Sequence, residues 1–132
     1  MMRLWIVFLL VIVGAAFSCS GESITASTGS GIGMSGKSLF FSRTKGGCSV
    51  CHKVADKKLV GPGLEHVSKM HTREWLVAWV TDPAKVWQEN SMETVGMKKR
   101  LNKNSQAVTA MKIMNPLTKD EVEAIVDYLM TL

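Results

Sequence analysis

The sequence predicts an all-α domain, on three observations. A capped amphipathic stretch closes the chain over 118–129. A second apolar stretch, Glu74 to Val80, carries two tryptophans one helical turn apart. No stretch reads as a convincing strand.

The elements follow in order. Gly36-Lys37-Ser38-Leu39-Phe40-Phe41 opens a short helix expected to end near Gly46-Gly47, and Lys53 to Leu59 is polar and reads as a loop. Gly61-Pro62-Gly63-Leu64 is a turn signal. His71-Thr72-Arg73 introduces the helix of Trp75 and Trp79, which stops at Asp82-Pro83, because a residue before proline is pushed out of the helical region. Ala84 to Asn90 gives one or two further turns. Thr118 is an N-cap, Glu121 completes a capping box, and Leu117 with Val122 forms the hydrophobic staple. Val122, Ile125, Val126 and Leu129 then repeat at helical spacing.

Between the first helix and the turn lies Cys48-Ser49-Val50-Cys51-His52, which reads Cys-x-x-Cys-His. This spacing is the attachment signature of a covalently bound c-type haem. Residues three and four apart share a face of a helical turn, so two thiols can reach two porphyrin vinyl groups while the next imidazole turns to the iron. Two other chemistries use Cys-x-x-Cys. A dithiol redox pair needs a βαβ context, and no strand pattern accompanies this one. A zinc site needs further ligands, and only His66 and His71 are left to supply them.

The N-terminus predicts export. Arg3 supplies the positive region, Leu4 to Val13 the apolar region, and Gly14, Ala15 and Ala16 the small residues before cleavage. Residues 1–18 are read as the signal peptide, in preference to a membrane anchor. The run before Cys19 suits an ordinary signal peptidase and also looks like a lipobox, in which Cys19 would be lipidated. A lone exported thiol favours the second reading. Residues 19–35 are rich in Gly, Ser and Thr and read as a flexible tether. Residues 36–132 make one small domain.

From Gly36 to about Leu129 the chain resembles the class I, single-haem cytochrome c family. The order matches: a short N-terminal helix, Cys48-x-x-Cys51-His52, Gly61-Pro62, a methionine region and a C-terminal helix. The resemblance implies the small cytochrome c fold, with N- and C-terminal helices crossing over one covalently bound haem c. Gly36 and Phe40 would meet Ile125 and Tyr128. It implies Cys48 and Cys51 as thioether residues and His52 as an iron ligand, with the Pro62 carbonyl fixing the His52 ring. A methionine shortly before the last helix would be the sixth ligand. Met111 and Met114 both lie there, and neither precedes proline directly, as the family's ligand commonly does. Met111 leaves more chain to reach the capped helix, and Met114 is the alternative. Trp79 would approach a haem propionate or simply fill the core, and Trp87 would cap the opposite edge. His66 and His71 are weaker candidates for the iron.

The formal charge is +5, from 16 Lys and Arg against 11 Asp and Glu. The densest patch is Lys98-Lys99-Arg100 with Lys103 nearby. No nucleic-acid motif accompanies it. It is read as a solvated face or as a docking surface for an acidic redox partner or anionic headgroups. The leading function is one-electron transfer by a monomeric carrier, not an enzyme, that shuttles electrons between redox partner proteins. Its expected place is the periplasm or the outer side of a membrane. Two alternatives stand: a haem peroxidase or gas-binding protein with an open sixth site, and a haem subunit of a larger redox enzyme, with Trp75 and Trp87 at the interface.

Overall fold

A computed structural model describes residues 33–132, which form six helices and one short 3-10 turn, with no strand among them. The expected signal peptide (1–18), Cys19 and the part of the expected tether up to residue 32 lie outside the described residues.

Helix α1 (Gly36–Phe41) starts where the Ser35 side chain accepts the Ser38 N–H. It buries Leu39 and Phe40 against α6 (Lys119–Leu129), which buries Val122, Ile125, Val126 and Leu129. Each fully buried side chain of this size is worth roughly 1.5–3 kcal/mol. The approach depends on Gly36, because a Cβ there would run into the Ala124 carbonyl of α6. Phe40 meets Tyr128 edge to face, with ring centroids 5.5 Å apart. The capping box of Thr118 and Glu121 is formed. Helix α1 stops at Phe41, short of Gly46-Gly47. The Ser42 hydroxyl accepts the N–H groups of Thr44 and Lys45, a local turn that competes with further helix.

Four helices fill the middle: α2 (Val67–Met70), α3 (Arg73–Thr81), α4 (Pro83–Glu89) and α5 (Met92–Arg100). Asp82 ends α3 and caps α4, where its carboxylate accepts the Lys85 N–H. Pro83 takes the first helical position, which needs no donor. Helices α2 and α5 are absent from the sequence reading. Helix α5 has few apolar residues and a glycine at its centre, so periodicity does not reveal it. Its signals are at its ends: Ser91 caps it, Glu93 lies in the first turn, and Lys98, Lys99 and Arg100 lie in the last. Those charges complement the helix dipole.

This placement corrects two expectations. Lys98 is not part of an exposed basic face: it is 7% exposed. Its ammonium donates to the Trp87 carbonyl and to Asn90 Oδ1 and sits 4.4 Å from the Trp87 ring centroid. Trp75 and Trp87 do not form an outer surface: both are buried in the core with Trp79. Trp87 sends its indole N–H to the Gln106 carbonyl at 3.1 Å.

Candidate functional site

Cys48 to Val50 form the 3-10 turn, and the Cys48 carbonyl accepts the N–H groups of both Cys51 and His52. Both cysteines are half-buried free thiols. Burial pushes the Cys48 thiol up, and the nearby Cys51 adds to this against the pull of a backbone hydrogen bond. A raised thiol is the reverse of what a reactive dithiol needs.

The loop after the motif folds back onto it. Gly61 N–H donates to the Cys51 carbonyl at 2.8 Å, and Leu64 N–H to the Lys53 carbonyl at 2.9 Å. This brings the Pro62 carbonyl to 2.8 Å from His52 Nδ1. A carbonyl only accepts, so Nδ1 carries a proton, and the neutral ring then has its lone pair on Nε2. Gly61 makes room for the ring: a Cβ at that position would lie 2.8 Å from both His52 nitrogens.

The two candidate methionines are placed differently. Met111 is half-buried and packs against the core, whereas Met114 is 80% exposed. Trp79, on the inner face of α3, donates its indole N–H to Met111 Sδ at 2.8 Å. The sequence reading offered Trp79 a haem propionate or a plain place in the core, and neither includes this contact. Ile113, Pro116 and Leu117, from the same segment, line a cavity of about 220 Å³ with Val80, Thr81 and Val122.

The remaining imidazoles serve elsewhere. His66 is exposed, in the left-handed region at φ 59°. His71 is buried, and both its nitrogens are engaged, with Glu93 Oε1 at 3.0 Å and Arg100 Nη2 at 2.8 Å. Among the described residues no group of three or more His, Cys, Asp or Glu side chains is arranged to hold a metal ion. Glu93 and Thr94 escaped the sequence reading, and Arg100 was read only as part of a basic patch, because their contacts span 19 to 29 residues.

The donor set fits a haem. Two half-buried thiols lie beside an imidazole whose Nε2 is left as a Lewis base, and a half-buried thioether carries a single hydrogen-bond donor. Soft sulfur and imidazole are the ligands that low-spin haem iron takes.

Residues 34–132 match the family model described as Cytochrome c. Comparison with curated proteins and with solved structures gives no match. The helical frame, the folded-back Cys-x-x-Cys-His turn and the match over three quarters of the chain agree, and the chain belongs to the cytochrome c family, whose members carry a covalently attached haem c.

Proposed function

We propose that the protein is an exported one-electron carrier in which Cys48 and Cys51 hold haem c as thioethers and His52 Nε2 and Met111 Sδ are the axial ligands. Haem c supplies a reversible one-electron couple at its iron. The observation that carries the reading is the His52 Nδ1–Pro62 carbonyl bond, which turns Nε2 into the ligating nitrogen and raises its basicity.

The chain's residues set how the couple behaves. His52 and Met111 together would hold a haem iron from two sides and leave no position for substrate, which favours a carrier over a peroxidase or gas sensor. A thioether ligand favours the ferrous state relative to a second imidazole and so raises the potential. Met111 is half-buried against the core, with its sulfur held by the Trp79 N–H. Met114 faces solvent and takes no part.

The docking surface is the segment after the first cysteine. Val50, Val54, Leu59 and Val60 are exposed there, Val60 at 73%. Lys53, Lys57 and Lys58, also exposed, lie among them. An apolar patch set among ammonium groups suits an acidic redox partner protein. Among the described residues no helix is long and apolar enough to cross a membrane. Export through residues 1–18, with a lipid on Cys19 and residues 19–35 as tether, would keep the carrier at the outer membrane face.

The test is a set of ferric and ferrous spectra of the holoprotein. Met111→Ala should lose the sulfur-to-iron charge-transfer band and bind added imidazole or cyanide readily, and Met114→Ala should keep the wild-type spectrum. The reverse pattern, or a wild type without the band, sinks the assignment. Intact mass of the matured chain checks the two thioethers.

A further inference from the structure

A column of flat rings runs from the α5 surface to Met111. His71 stacks on Trp75 with centroids 4.1 Å apart and planes within 18°. Trp75 stacks on Trp79 at 5.0 Å and 11°. Trp79 then delivers its N–H to Met111 Sδ. The middle ring is pinned, because the buried Thr94 hydroxyl accepts the Trp75 indole N–H at 3.0 Å.

The far end of the column is held by charge. Glu93 Oε1 accepts from His71 Nδ1 and from the Thr72 N–H, and Glu93 Oε2 accepts from the Thr72 hydroxyl. Arg100 Nη2 sits 2.8 Å from His71 Nε2. A guanidinium only donates, so Nε2 must be the acceptor and the ring must be neutral, with its proton on Nδ1. Glu93 and Arg100, both on α5, are the charged groups that act on the ring. From the other elements it meets Trp75 of α3 and the Val67 carbonyl of α2, which accepts its backbone N–H.

We propose that His71 is a positioning residue for Met111, acting through the two stacked indoles, and that protonation of His71 loosens the sulfur from its place. The inference rests on the reading of Met111 as an iron ligand. A proton on Nε2 turns an acceptor into a donor facing another donor and sets two cations against each other. The Arg100 contact is then lost. The ring, still drawn to Glu93 by Nδ1, tilts out of the column, and the tilt passes through packed rings to the Trp79 N–H. Packed interiors transmit such shifts because they hold few voids. Burial and Arg100 keep this event below the ordinary imidazole range near pH 6.5, against the pull of Glu93.

The experiment follows the sulfur-to-iron band and the midpoint potential of the holoprotein from about pH 8 to about pH 4, a range that spans histidine titration. In the wild type the band should lose about half its intensity or more in one reversible single-proton transition below pH 6.5. His71→Gln keeps a donor and an acceptor but does not titrate, and it should hold the band across that range. Because this variant can fail to fold, two others carry the same question: Glu93→Gln should move the transition to lower pH and Arg100→Gln to higher pH. If Arg100 swings into water while the ring stays put, the band is unchanged through the titration and the inference is overturned. It is equally overturned if His71→Gln reproduces the wild-type profile, or if Glu93→Gln and Arg100→Gln leave the midpoint unmoved. A band missing at pH 8 overturns the ligand assignment and this inference together, whereas a band present but insensitive overturns this inference alone.

Discussion

The indole N–H of Trp79 donates to the sulfur of Met111 across 2.8 Å, joining α3 to the segment before α6. A donor on a thioether draws electron density from it. Under the proposed ligation, the sulfur would be a weaker donor to ferric iron and the ferrous state would gain.

Trp79→Phe should therefore lower the midpoint potential. A net hydrogen bond is worth about 0.5–1.5 kcal/mol, and about 59 mV corresponds to about 1.4 kcal/mol for one electron. The fall should be on the order of tens of millivolts, read by equilibrium redox titration. An unchanged or higher potential would mean that the contact does not persist on the ligated sulfur.

Gly61→Ala addresses the His52 ring. The added methyl meets the His52 ring, and the loop cannot back away without breaking the Gly61–Cys51 and His52–Pro62 bonds. Overpacking of this kind costs about 1–3 kcal/mol. We expect an unfolding free energy lower by roughly that amount, read by chemical denaturation, and a smaller yield of haem-loaded protein. Gly63→Ala is no control, since Gly63 is also crowded, by the Ala55 and Asp56 backbone.

Most of the frame was legible in the sequence because its signals were local. Thr118 with Glu121 announced α6, Pro83 divided α3 from α4, and Cys48, Cys51 and His52 marked the site by spacing alone. Pairing of Gly36 and Phe40 with α6 came from resemblance and matches the packing. What stayed hidden was long-range. Nothing near Lys98 in sequence says that its ammonium turns inward to Trp87 and Asn90, and nothing near Trp79 points to Met111, 32 residues on. Helix α5 was missed because three adjacent cations read as a surface patch when they are a helix C-terminus.

Lys98 supplies a direct check of that correction. Lys98→Met keeps most of the length of the side chain but leaves the Trp87 carbonyl and Asn90 Oδ1 without their donor. The cost should be about 1–3 kcal/mol. Lys99→Met, at an exposed position, should change stability by no more than about 0.5 kcal/mol. Chemical denaturation of the two variants should separate them. If Lys98 instead served docking, Lys98→Met would weaken partner association and leave stability alone.

His71 makes stability depend on pH, and the sign follows from its partners. Burial, the largest influence, and Arg100 hold its folded pKa below the ordinary 6.5, while Glu93 opposes them. Between the folded pKa and 6.5 the unfolded chain therefore binds more protons than the folded one, so stability rises with pH across that window. The contribution is fully present above 6.5 and is lost as pH falls towards the folded value, where the dependence flattens. Each tenfold difference in proton affinity between folded and unfolded chains is worth about 1.4 kcal/mol. Glu121 acts in a separate window. Its hydrogen bond from Lys45, with further help from the Thr118 backbone, lowers its pKa from 4.5, so its contribution is lost only as pH falls below 4.5 towards the folded value. Denaturation midpoints of the holoprotein should thus fall on acidification from about pH 7.5 to about pH 5. His71→Gln should flatten that fall, and Glu121→Gln should leave it in place. A His71→Gln profile parallel to wild type would show that other groups carry the dependence.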